Sequence, residues 1–206
     1  MLISTSHATI FEPGALVARA KCTSEFWIGL TSGLLKLSVH DESGKGVTLC
    51  GISAGGWFGE GSVLKNELRQ YDVYSLQKSR VLMVPSSTFH SLLDESISFN
   101  SFIIHQLNNR LAEFICSVQN TRMLTITARV ARSIAQLFNQ DLYPSTKSRI
   151  YISQEELAML VGVSRQRVNG ALQHLERLGL VNLSYNQIDV LDLEQMRLMD
   201  RVPTVP

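Results

Sequence analysis

Four side chains in one short stretch, Arg165, Gln166, Arg167 and Asn169, carry donor and acceptor patterns that match the edges of nucleic-acid bases. An arginine fork bonds guanine through two parallel hydrogen bonds, and a glutamine or asparagine amide does the same to adenine. Such groups act together only if a rigid support projects them, and the flanking residues supply one. Ser153 and Glu156 form a capping box that starts a short helix. Leu157, Leu160 and Val161 make its buried face, and Ala158 is small, as a close helix crossing requires. Gly162 marks the turn, since glycine enters the left-handed conformation at little cost. Ser164 caps the next helix, whose inner face is Val168, Leu172, Leu175 and Leu178. Gly179 ends it. Residues 180–183, a Ser184-Tyr185-Asn186-Gln187 turn and residues 188–191 then read as a β-hairpin wing. The four polar residues fall on the outer face of the second helix of a helix-turn-helix, the face that enters a DNA major groove.

The preceding chain must carry and place this module. Ten of the thirteen glycines lie between Gly14 and Gly61, and none follows until Gly162. The glycine-rich part reads as short strands at residues 25–30, 34–39, 47–50, 72–76 and 80–84, with a hairpin loop over 41–46. Many short strands with frequent turns predict a small barrel or sandwich-like β domain. From Ser86 to Tyr143 there is neither glycine nor proline, and the apolar period becomes helical. Ile97, Ile104, Leu111 and Val118 recur every seven residues, with Leu107 and Phe114 at the intervening positions and polar Asn100 and Thr121 at the outer ones. This predicts one long helix with a coiled-coil-like seam of about three heptads. The pattern leaves two packings open, against the helix's own domain or against a second copy. Ile103 and Ile115 beside the seam widen the apolar surface enough for both. A second helix is expected from about Thr127 to Asn139, then a linker over residues 143–148 broken near Pro144. The expected division is a β domain over 1–85, a helical connector over 86–142 and the reading module over 143–206.

In this order of parts the chain resembles the Crp/Fnr family, that of the cyclic-AMP receptor protein, over nearly its whole length. Residues 153–180 carry the most specific match, and Gly55-Gly56-Trp57-Phe58-Gly59-Glu60 followed by Arg69 carries the N-terminal one. The resemblance implies an α+β fold: an N-terminal β-roll, the jelly roll of cyclic-nucleotide-binding domains, then a long dimerisation helix and a C-terminal winged helix-turn-helix. It further implies a homodimer that reads an inverted repeat in double-stranded DNA and contacts RNA polymerase. Carried over residue by residue, it places Arg165, Gln166 and Asn169 on bases, and Ser153, Ser164 and Arg167 on phosphates. Gly170 stands where family members often place a base-contacting arginine, so the operator need not follow the usual consensus.

In nucleotide-binding members a glycine-glutamate pair meets the ribose, and an arginine followed by a small hydroxyl residue holds the cyclic phosphate. Gly59, Glu60 and Arg69 match the first three elements. A carboxylate suits a ribose hydroxyl and a guanidinium suits a phosphate. Gln70-Tyr71-Asp72 depart from the pattern: Asp72 would repel a phosphate if it faced the site, and Tyr71 could fill purine space. The sensor therefore stays open between a cyclic nucleotide, another small effector, and none, with Glu60 and Arg69 bracing the fold in the last case.

Other chemistries fit poorly. Gly51-Ile52-Ser53-Ala54-Gly55 matches a nucleophile elbow in letters, but Gly55-Gly56-Trp57-Phe58-Gly59 cannot readily supply the helix that motif needs. The glycines at 56, 59 and 61 lack the Gly-Lys-Ser/Thr of a phosphate loop. An enzyme is not expected. Cys22, Cys50 and Cys116 are three widely spaced cysteines, which disfavours a disulfide framework, a zinc site or an iron–sulfur cluster; no metal is expected. A haem would need His40, His90 or His105 in a defined pocket. Net charge is +1, so any DNA contact comes from placed arginines rather than a bulk basic field. Residues 110–149 are only mildly basic, with six positive side chains against Glu113 and Asp141. No signal-peptide pattern or membrane-length apolar run is present, and a reducing cytoplasm fits the cysteines. The competing class is a β-roll and coiled-coil interaction module whose helix-turn-helix has lost DNA binding; the polar tip at Arg165, Gln166 and Asn169 argues against it.

Overall fold

The computed structural model describes residues 6–44, 46–145 and 147–200. Met1, Leu2 and Ile3, Lys45 of the expected hairpin loop, and Thr146 of the expected linker lie outside the described residues. The chain packs as two compact units, the described parts of Met1–Leu111 with Gln140–Thr146, and of Ala112–Asn139 with Lys147–Pro206.

Among the described residues the first unit holds eight strands: β1 (His7–Phe11), β2 (Leu16–Ala18), β3 (Phe26–Ser32), β4 (Leu34–His40), β5 (Gly46–Ser53), β6 (Trp57–Phe58), β7 (Asp72–Ser75) and β8 (Ser79–Pro85). They form two four-stranded antiparallel sheets, β1-β8-β3-β6 and β2-β7-β4-β5. One core cluster joins both: Ile28 and Leu30 on β3, Val81 on β8, Leu35 and Leu37 on β4, Val73 on β7, and Ile52 on β5. Leu142 and Tyr143 complete it, and the Tyr143 hydroxyl donates to the Gly51 carbonyl at 3.1 Å. Tyr143, read from sequence as the start of a linker, is thus a core residue. The expected strands are all present. The sequence reading missed β1 and β2, whose burial is only partial, the two-residue β6, and α1 (Glu60–Lys65), which starts directly after Gly59. Ser53 ends β5 and is followed by a turn and β6 rather than a helix, so the elbow geometry is absent there.

α2 (Ser86–Glu95) stops at Ser96, whose extended backbone breaks the helix and whose Oγ accepts from the Phe99 amide at 3.2 Å. α3 (Ile97–Met123) then runs 27 residues, as the heptad pattern predicts. Its two faces differ. Ile103, with Phe99 and Phe102, packs into a second cluster with Trp27, Val84 and Phe89. The seam residues Ile104, Leu111 and Val118 are 60%, 58% and 53% exposed. Asn100, at the outer seam position, instead bonds the Leu93 and Ser96 carbonyls at 2.5 and 3.0 Å.

The second unit contains the end of α3, α4 (Ile126–Gln136), α5 (Gln154–Val161), α6 (Arg165–Arg177), α7 (Leu193–Leu198), and the antiparallel sheet β10-β11-β9, made of Val181–Ser184, Gln187–Val190 and Arg149–Tyr151. Strand β9 lies next to the stretch read as linker, and it was missed because three residues show no periodicity; the Arg149–Asp189 ion pair ties it to β11. Val130, Ile134, Leu157, Val168, Leu172, Leu175 and Met196 form the buried interior. Leu178, expected on the inner face of α6, is corrected: it is the C-cap and half exposed, while Ala171 is buried instead. No helix among the described residues is long and apolar enough to cross a membrane.

Candidate nucleic-acid interface and effector site

The helix-turn-helix is built by the caps read from sequence. Ser153 Oγ accepts from the Glu156 amide at 3.1 Å and Ser164 Oγ from the Arg167 amide at 3.4 Å. Each bond satisfies an otherwise orphaned donor at a helix start. Gly162 is left-handed (φ 72°, ψ 40°), and its amide bonds the Ala158 carbonyl, closing α5. Arg129 on α4 locks the same corner by donating to the Val161 carbonyl at 2.7 Å. The second helix is therefore held at both its own cap and the preceding turn.

Arg165, Gln166 and Arg167 occupy the first turn of α6 and are exposed; Asn169 lies one turn on and is half-buried. Among the described residues neither Arg165 nor Arg167 has an acidic partner, and no Asp or Glu occurs between Glu156 and Glu176. Two free guanidinium groups at the positive end of a helix dipole attract phosphate and present forks to base edges. A cleft of about 360 Å³ lies between the start of α5 and the wing turn, with Ser153, Gln154, Arg165, Tyr185 and Asn186 on its walls. Tyr185 stands 93% exposed at the wing tip, beside the left-handed Asn186. Of the six residues singled out from the sequence, Ser153 and Arg165 line this cleft and Asn169 is joined to its wall residue Gln154, while Ser153 and Ser164 point their hydroxyls into their own helix caps.

Gly170 is exposed on α6, and a Cβ placed there meets nothing within 4 Å. Glycine inside a helix costs about 1 kcal/mol relative to alanine. Gly170→Ala is accordingly expected to raise the unfolding free energy by about 1 kcal/mol, read as a higher urea midpoint at unchanged slope. A lower midpoint would show that the site is not open.

In the first unit, Glu60 starts α1 and Arg69 lies beyond its end; they are 5% and 4% exposed. The two do not pair with each other. Glu60 Oε1 lies 3.3 Å from Nε of Arg110 on α3, and Arg110 Nη2 donates to the Trp57 carbonyl at 2.6 Å. Burial alone would lower the Arg110 pKa, but the Glu60 carboxylate, helped by smaller contributions around it, holds it above its ordinary value. The Arg69 guanidinium lies over the Tyr71 ring, 5.8 Å from its centroid. Burial pushes the Tyr71 phenol up, and Glu60 adds to this, so the ring stays neutral. Glu60 Oε2, Arg69 Nη1 and Arg110 Nη1 are buried without a hydrogen-bond partner among the described residues. Gly59 is required here twice over: its φ is 91°, and a Cβ would sit 3.1 Å from Arg69 Nη1.

Asp72 does not face this site. Its carboxylate accepts from the Ala20 amide at 2.7 Å and lies 3.2 Å from His40 Nδ1, so the repulsion anticipated from sequence does not arise. Gln70 is exposed and bonds the Leu68 carbonyl. Arg110, which sequence reasoning counted only as one of several basic residues, is the missed member of the site. Its signal was slight: a lone cation flanking an apolar seam.

Comparison with known proteins agrees with both halves. Residues 9–96 match the cyclic nucleotide-binding domain model, and residues 128–199 match the Crp-like helix-turn-helix domain model. The chain is 26% identical over 167 residues to the transcriptional regulator SdrP of Thermus thermophilus, covering 80% of this chain and 79% of that one. It is also 26% identical to the cAMP-activated global transcriptional regulator CRP of Pasteurella multocida, over 87% of this chain and 88% of the relative. FixK2 of Bradyrhizobium japonicum shares the fold with a TM-score of 0.79 at 13% identity, over 96% and 98% of the two chains. SdrP and CRP are both transcription regulators. With its β domain and its helix-turn-helix each matched by a family model, the chain belongs to the Crp/Fnr family of transcription regulators.

Proposed function

We propose that this protein is a homodimeric, sequence-specific regulator that reads an inverted-repeat operator in double-stranded DNA. The observation that carries this reading is the first turn of α6, where among the described residues exposed Arg165, Gln166 and Arg167 stand without acidic partners on a helix capped by Ser164. Arg165, Gln166 and Asn169 contact base edges. Arg167 and the amide ends of α5 and α6, capped by Ser153 and Ser164, hold phosphates. The seam of α3 supplies the dimer: an apolar stripe this long on one helix face, left exposed in a single chain, calls for a second copy. Two reading heads on such a dimer require half-sites about one helical turn apart or slightly more. RNA polymerase is the partner that family membership brings, and the cytoplasm is the compartment where DNA, polymerase and three cysteines outside any disulfide coexist. A gel-shift titration at several salt concentrations tests the reading: specific binding that weakens steeply with salt supports it, and salt-insensitive or absent binding refutes it.

A small anionic effector in the first unit is the accompanying reading, favoured by one observation. Among the described residues Arg69 is a buried guanidinium with no carboxylate partner, and one oxygen of the buried Glu60 carboxylate also lacks a donor. Buried charge left uncompensated is costly, and a ligand with an anionic group and a hydroxyl would satisfy both atoms. A cyclic nucleotide has that chemistry but must displace Tyr71 from Arg69. Calorimetry with cyclic AMP and cyclic GMP decides: micromolar binding lost in Arg69→Ala supports a nucleotide, and no heat at millimolar ligand ends that reading.

A further inference from the structure

We infer that Gln154 is a positioning residue that fixes which edge of the Asn169 amide faces DNA, and so sets base preference at one position of each half-site. The inference rests on the base-reading role proposed above for Asn169. Gln154 is the first residue of α5, and Asn169 lies fifteen positions on, in α6. The Gln154 Nε2 donates to Asn169 Oδ1 at 3.3 Å, and both side chains are half-buried. Among the four polar residues of the reading face, Asn169 is the one whose side chain is held in this way among the described residues.

An asparagine amide has a donor edge and an acceptor edge, and a free one can present either. With Oδ1 taken by Gln154, the Nδ2 edge and its two hydrogens turn to the open side. A donor there favours bases with major-groove acceptors, guanine (O6, N7), thymine (O4) and, through N7 alone, adenine, and disfavours cytosine, which shows only its N4 donor. One hydrogen bond gained or lost corresponds to on the order of a tenfold preference.

Changing the partner should therefore change the letter read. A carboxylate in place of the Gln154 amide can only accept, so Asn169 would turn Nδ2 towards it and show Oδ1 to the DNA. Gln154→Glu is expected to move the preference at that one position towards cytosine or adenine by on the order of tenfold, and Gln154→Ala to flatten it. The measurement is competitive binding of the full chain to an operator set carrying every single-base substitution, for the parent, both Gln154 variants and Asn169→Ala. The added charge of Gln154→Glu weakens all sites alike and cancels in the comparison between bases. A parental base profile in both Gln154 variants, or a uniform loss at all positions, overturns the inference. If Asn169→Ala shifts the profile while the Gln154 variants do not, only the positioning role fails. If Asn169→Ala also keeps the parental profile, the base-reading role of Asn169 falls with it.

Discussion

Replacing Arg165 and Gln166 together by alanine is expected to reduce operator binding to the level of random DNA without unfolding the protein. Each well-formed bidentate base contact contributes about 1–3 kcal/mol of discrimination. Two such side chains in each of two half-sites account for most of the roughly 4–10 kcal/mol that separates specific from non-specific binding. Affinity should fall about 10³-fold or more against a specific operator, and hardly at all against random sequence. Stability should move by no more than about 0.5 kcal/mol, because both side chains are exposed. Arg167→Ala gives the contrasting outcome: a uniform loss across sequences and a salt slope reduced by about one, as expected of a phosphate contact. Fluorescence anisotropy with specific and random competitors separates the two patterns. An Arg165→Ala/Gln166→Ala variant that keeps its specificity would place base reading elsewhere.

Leu111→Asp is expected to give a folded monomer with weak DNA binding. Leu111 sits mid-seam on α3 and is 58% exposed in a single chain, so an aspartate costs little there. Across a parallel seam the same change sets two carboxylates against each other in an apolar layer, which the dimer cannot accommodate. Loss of the second reading head removes an effective-concentration advantage of about 10²–10⁴-fold. Sedimentation equilibrium reads the first effect and operator titration the second. A variant that remains dimeric with parental affinity would show that the seam is not the interface.

The parts of this molecule that sequence revealed are those where local chemistry decides structure. Ser153, Gly162 and Ser164 act on backbone groups within four residues of themselves, so their roles as cap, turn and cap could be read directly and recur in the structure. The seven-residue repeat of α3 was equally legible, since a long helix needs only its own periodicity. Misreadings came where distant partners decide. Leu178 fits the inner-face spacing of α6 but lies past the last buried turn. Whether Asp72 faced the anion site was open from sequence, and its bonds to Ala20 and His40 answer it. Arg110 meets Glu60 across fifty residues, and no local pattern announces that pair. The Gln154–Asn169 bond is of the same kind: each residue looks ordinary in sequence, and only the crossing of α5 and α6 brings them together.

The most direct test of the account is selection of bound sequences from a random DNA pool by the full-length protein. The account predicts enrichment of an inverted repeat whose half-site centres lie about one helical turn apart or slightly more, with the enriched half-site bases lost in Arg165→Ala/Gln166→Ala. Enrichment of a single unsymmetrical site, or no enrichment over the input pool, would contradict it.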